Sequence, residues 1–148
     1  GIRDRDVTGV QTCALPIYQG RAGCWDLLNG SPRWTRDLSS EAGVAVDQRF
    51  LFASDDKGAV YAFNRDSGTS AWKNDKLAFR RLSTPVSYGR AVAVGDFQGY
   101  VHFLSREDGA FLARAATDGS AISTTPLVAG SNLIFQTQNG TVTAIAVE

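Results

Sequence analysis

Glycines set ten residues apart, in a frame that returns about every forty residues, confine this chain to a repeat architecture. The frame runs from Gly99 to Gly109 as Gly-Tyr-Val-His-Phe-Leu-Ser-Arg-Glu-Asp-Gly, and it stands again at Gly58 to Gly68 and at Gly20 to Gly30. A fourth copy opens at Gly140, and Glu148 falls inside it. The four starts, at 20, 58, 99 and 140, give steps of 38, 41 and 41 residues. Propeller blades of four strands repeat at roughly 40–45 residues. The sequence therefore predicts an all-β chain, a partial β-propeller of about three four-stranded antiparallel blades in an open arc.

Each copy has a simple local logic. The opening glycine follows Lys57, Gln98 or Asn139, and it admits the positive φ of a hairpin turn. A strand rich in β-branched and aromatic residues comes next. A polar turn at Asn29-Gly30, Ser67-Gly68 or Asp108-Gly109 then reverses the chain. Four residues past that glycine stand Trp34, Trp72 and Ala113, so two copies put an indole at one spot on the outer strand. Its expected role is packing between neighbouring blades.

Strand by strand, Tyr18 to Asp26 and Arg33 to Asp37 read as the third and outer strands of a blade whose two inner strands are missing. Val44–Val46, Arg49–Ser54, Ala59–Asn64 and Ser70–Lys73 make one whole blade. Inner strands starting at Thr84-Pro85-Val86 and Thr125-Pro126-Leu127 lie 41 apart, and proline suits a strand's first position. Ala91–Gly95, Tyr100–Ser105 and Phe111–Ala115 complete the next blade. Leu133–Thr137 and Thr141–Val147 give a last blade with no fourth strand.

Composition narrows function by exclusion. Fifteen basic and fifteen acidic residues cancel, which argues against a nucleic-acid phosphate binder and its basic face. At 43% hydrophobic and 20% charged, the chain is expected to pack a core. No run of 18 apolar residues and no charged-then-apolar leader is present in the sequence. Cys13 and Cys24 have no metal-site spacing, and no disulfide between them is expected. Asp55-Asp56 fits no calcium loop and reads as a solvated turn. His102, the only histidine, aligns with Tyr61 and Thr143 at a position the repeat leaves variable. It reads as lacking a partner carboxylate, and no catalytic, cofactor or metal residue is assigned.

The most function-like surface is the connector from Asn74 to Ser83. Lys76, Phe79, Arg80 and Arg81 form a candidate partner-binding surface there, basic residues set among Leu77, Phe79 and Leu82. The competing reading is a blade-to-blade crossover with its apolar residues tucked in.

Two resemblances bear on the whole. Val7-Thr8-Gly9-Val10-Gln11-Thr12-Cys13-Ala14-Leu15-Pro16-Ile17 resembles a widely used sequencing adapter translated in frame. Residues 1–17 are therefore expected to be a non-native, irregular leader, with propeller sequence over 18–148. The pattern Gly-x-Val-x-Ala-Phe-Asn-x-x-Ser-Gly-x-x-x-Trp from Gly58 to Trp72 resembles the quinoprotein-type propeller repeat. The stretches Trp72 to Asp75, Arg80 to Val86, Val92 to Leu104 and Arg106 to Gly109 resemble the C-terminal blades of the BamB family of outer-membrane protein assembly factors. That resemblance implies an eight-bladed propeller without catalytic activity. It implies a lipoprotein at the periplasmic face of the outer membrane in Gram-negative bacteria, a scaffold subunit of the β-barrel assembly machinery. The implied partners are BamA, other subunits of that machinery and unfolded outer-membrane protein substrates. The implied membrane contact is a lipid anchor that maps upstream of Tyr18, as do the main BamA-contacting loops. The alternatives are a quinone (PQQ)-dependent dehydrogenase-type propeller, needing calcium ligands and a flooring tryptophan, and a generic ligand-binding propeller.

Overall fold

A computed structural model describes residues 13–14, 17–18 and 20–147 of the chain. Every regular element among them is a β-strand. The chain order is β1 (Cys13–Ala14), β2 (Ile17–Tyr18), β3 (Arg21–Asp26), β4 (Pro32–Asp37), β5 (Val44–Val46), β6 (Phe50–Ser54), β7 (Val60–Asn64), β8 (Ser70–Asn74), β9 (Val86–Tyr88), β10 (Ala91–Gly95), β11 (Tyr100–Ser105), β12 (Phe111–Ala116), β13 (Leu127–Ala129), β14 (Asn132–Gln136) and β15 (Val142–Ala146). Neighbours in sequence pair antiparallel, giving the four-stranded sheets β5-β6-β7-β8 and β9-β10-β11-β12 and the three-stranded sheet β13-β14-β15. These are two complete blades and one that lacks its outer strand. No strand of the first sheet pairs with the last, so the array stays open.

The first blade departs from expectation. Both β1 and β2 pair with the edge of β3 opposite β4, through Ala14↔Trp25 and Ile17↔Ala22. A broken inner strand therefore fills one position that the sequence reading left empty. Antiparallel pairing along β3 also brings the start of the chain beside Cys24, which is disulfide-bonded. That corrects the expectation of unbridged cysteines. The irregular, adapter-like leader otherwise falls on residues outside those described.

Burial follows the period-two logic of a strand covered on both faces. Within β6, Leu51 and Ala53 pack toward the first blade with Ala22, Cys24, Trp34 and Phe63. Phe50 and Phe52 point the other way, onto Val92, Val94 and Leu104 of the third blade. Ala91 and Ala93 of β10 then meet Leu133 and Phe135 of the fourth. Each core is an interface between blades, so no blade owns its own.

Indoles fix the spacing of those interfaces. Trp34 donates its Nε1–H to the carbonyl of Arg65 at 2.7 Å, and Trp72 does the same to Arg106 at 2.9 Å. Each ring lies across the turn glycine of the next blade. A Cβ on Gly68 would stand 2.5 Å from Trp34, and one on Gly109 would stand 2.5 Å from Trp72. Those glycines also hold φ of 68° and 72°, a conformation that costs other residues about 1–2 kcal/mol.

Replacing Trp72 by Ala is expected to cost about 3–5 kcal/mol of stability, read as a shift in the urea midpoint. Gly109→Ala is expected to destabilise the native chain through the ring clash and the left-handed backbone together. In the Trp72→Ala background only the backbone part, about 1–2 kcal/mol, should remain. Additive losses in the double variant would show that the ring does not rest on the glycine.

Candidate partner-binding surface

One end of the array is built from the turns between second and third strands and the crossovers that lead to the next blade. A backbone bond repeats there. Asp56 N donates to Ser39 O at 3.0 Å, Phe97 N to Arg80 O at 3.0 Å and Gln138 N to Ala121 O at 2.8 Å. Donors and acceptors both step by 41 residues, so each crossover is latched to the following blade's turn at the same place.

A carboxylate organises each turn. Asp55 Oδ1 accepts from the amides of Lys57 and Ala59, at 3.0 and 2.7 Å. Asp96 Oδ1 repeats this with Gln98 and Tyr100, at 2.9 and 3.0 Å. In the last blade Thr137 takes the position, its hydroxyl accepting from Thr141 N at 3.2 Å. The second carboxylate oxygen reaches the variable strand position. Tyr61 Oη donates to Asp55 Oδ2 at 2.9 Å, and His102 Nε2 lies 2.8 Å from Asp96 Oδ2.

His102 therefore has a carboxylate partner, which corrects the reading of a lone histidine. The signal was present: Asp55 and Asp96 each stand six residues before Tyr61 and His102. Asp96 is fully buried and His102 is 3% exposed. Burial raises the Asp96 carboxyl, but hydrogen bonds from His102, the Tyr100 amide, Arg80 and the Gln98 amide outweigh it and hold it below its ordinary range. Burial is the main cause that lowers the His102 imidazole, against the pull of Asp96. At neutral pH the pair is thus carboxylate and neutral imidazole. A carboxylate only accepts, so Nε2 carries the proton. Burial first and Asp55 second push the Tyr61 hydroxyl up to about 12, which keeps it a donor.

The sequence-predicted surface divides. Arg80 turns inward, its Nη1 donating to Asp96 Oδ2 at 2.9 Å and to Gln98 Oε1 at 3.2 Å. Lys76, Phe79 and Arg81 are exposed. Leu77 and Leu82 are buried against the core between the second and third blades. The crossover's leucines tuck in as the competing reading expects, and Phe79 does not. Phe79 and Arg81 hold φ of 64° and 47°, left-handed values uncommon for such side chains. Beside it, a groove of about 590 Å³ is lined by Asp37, Asp55, Asp56, Lys57, Tyr61 and Lys73 among others. Asp55-Asp56 is not simply solvated, since Asp55 caps its turn and Asp56 accepts from Ser39 Oγ at 3.0 Å.

Acid should probe the buried pair. Folding disfavours the imidazolium, so stability is whole above the ordinary histidine value of about 6.5 and falls as pH drops below it. His102→Gln keeps a donor and removes the titration. Between pH 7 and 5 its stability profile should be flatter than that of the native chain, by up to about 1.4 kcal/mol per pH unit in urea titrations. Parallel profiles would place an ordinary, solvated histidine there.

A family model described as "Outer membrane protein assembly factor BamB" matches residues 5–74, a span that begins inside the leader. The BamB of Burkholderia pseudomallei is 46% identical over 134 residues, covering 90% of this chain and 35% of that protein. The crystal structure of BamB from Moraxella catarrhalis superposes with a TM-score of 0.86 at 32% identity, covering 95% of this chain and 42% of that one. A quinohemoprotein alcohol dehydrogenase from Comamonas testosteroni superposes at 0.71 with 13% identity, a likeness of fold alone. The chain spans about a third of the length of the curated relatives it matches. By its repeat, its blade architecture and its likeness to these proteins over most of its length, the chain belongs to the outer membrane protein assembly factor BamB family.

Proposed function

We propose that the protein carrying this chain is a non-catalytic scaffold of the β-barrel assembly machinery. It works at the periplasmic face of the outer membrane, binding partner subunits, BamA among them, and assisting the assembly and insertion of outer-membrane proteins. The observation that carries this reading is 46% identity to an assembly factor across 90% of the chain. The architecture is consistent with it. Rigid interblade cores leave turns and crossovers as the presented surface, which is where binding residues concentrate on rigid scaffolds. The one histidine–carboxylate pair is closed inward and spent on holding a turn. It reaches no substrate, which disfavours the dehydrogenase alternative as far as these blades go.

The test uses the full-length protein in its own host. Tagged at a terminus, it should co-purify with the subunits of the assembly machinery in stoichiometric amounts. Its deletion should lower the outer-membrane content of β-barrel proteins. Recovery free of those subunits, with barrel levels unchanged on deletion, would remove the scaffold reading. Quinone-dependent alcohol oxidation by the purified protein would replace it.

A further inference from the structure

We infer that the crossover from Asn74 to Ser83 is an acid-releasable latch: protonation of His102 frees Arg80 from Asp96 and lets this one crossover detach from its turn while the blades stay folded. The device operates whatever the protein binds.

Two donors share one buried oxygen. Asp96 Oδ1 is taken by the amides of Gln98 and Tyr100. Oδ2 receives both Arg80 Nη1 at 2.9 Å and His102 Nε2 at 2.8 Å. With a neutral imidazole the charges balance, one guanidinium against one carboxylate. An imidazolium puts two cations on a single carboxylate oxygen, and Asp96 is fully buried, where an uncompensated charge is costly. The charges that act on the ring come from three other elements. Asp96 sits on the turn, Arg80 on the crossover and Arg114 on β12 opposite His102, and both arginines oppose the imidazolium. Tyr100 and Phe111 bring aromatic rings to the same site.

Exposure decides which cation leaves. The side chain of His102 is 4% exposed on β11, and that of Arg80 is 31% exposed on a connector. A guanidinium that swings out regains water and leaves an imidazolium–carboxylate pair behind. The segment is poised to let go, because Phe79 and Arg81 on either side of Arg80 hold φ of 64° and 47° and release relieves left-handed strain. What the ion pair restrains is the repeated latch, Phe97 N to Arg80 O. The flanking blades carry the same latch without the switch. In the blade before, Asp55 Oδ2 meets the phenol of Tyr61 and the crossover residue is Ser39; in the last blade the two positions are Thr137 and Ala121. Burial, with the two arginines behind it, holds the latched imidazole below its ordinary value. The latched form therefore binds fewer protons, so the latch is whole above a pH of about 6.5 and weakens as pH falls below it.

Hydrogen exchange resolved at single amides in the full-length protein, corrected for the intrinsic pH dependence of exchange, reads the three latches side by side. Between pH 7 and 5 the protection of the Phe97 amide should fall about tenfold or more, while the Asp56 and Gln138 amides keep theirs. His102→Gln keeps a donor and cannot titrate, so Phe97 protection should stay level across that range. Arg80→Ser copies the crossover of the blade before and should also keep it level, with His102 titrating at higher pH by NMR than in the native protein. If His102→Gln does not fold, Arg80→Ser decides alone. Loss of protection at all three amides together would make His102 a determinant of the whole fold and overturn the latch. Unchanged protection at Phe97, or an acid response that survives either substitution, would overturn it as well.

Discussion

An indole laid on the glycine of the next blade is the contact on which the array depends. Trp34 on Gly68 and Trp72 on Gly109 each join a flat apolar ring to a turn with no Cβ, and each closes with an N–H to a carbonyl. The hydrogen bond sets direction and the missing Cβ sets distance. With both fixed, the strands behind can meet in register, and Phe50 and Phe52 find Val92 and Val94 one blade away. Stability is therefore a nearest-neighbour property, as in other repeat arrays. It also explains why edges differ. The last blade's outward positions, such as Leu127 and Val142, stay exposed because no further blade among the described residues lies against them.

The second constraint is the carboxylate at the start of each turn. One Asp oxygen gathers two backbone amides, and the other is left to bind whatever the third strand presents. The repeat can then exchange Tyr61 for His102 without altering the backbone, since each offers a donor at about the same height. What changes is the response to acid, because a phenol and an imidazole titrate far apart. A structural device thus acquires a chemical character in one blade and not in its neighbour.

Glycine spacing, turn chemistry and strand alternation are local, and they placed the strands of the second to fourth blades within a residue or two. The interblade role of Trp34 and Trp72 was legible from their common offset. Partners set by three-dimensional neighbours were not. Arg80 looked like its basic companions until Asp96 drew it inward. His102 looked solitary because strand positions were aligned without the turn residue six places earlier. The bond at Cys24 was missed because pairing of the leader along β3 depends on a contact between chain segments. In the candidate surface, composition could not tell which side chains the fold would spend, and Arg80 went to Asp96.

Departure from the repeat is what singles that loop out. The 41-residue latch treats Ser39, Arg80 and Ala121 alike at the backbone, so a neutral connector would have sufficed in all three places. Ser39 and Ala121 show that it does suffice in two. Around Arg80 the chain instead takes two left-handed non-glycine residues and leaves an aromatic ring in water. Local rules are broken there while the global frame is kept, and in folded proteins such breaks concentrate where function is carried. The frame makes the exception affordable: buried leucines, the Asp96 ion pair and the latch restrain the strained segment from both sides. The rigidity that the indoles give to the blades is thus the same property that holds a strained loop in place.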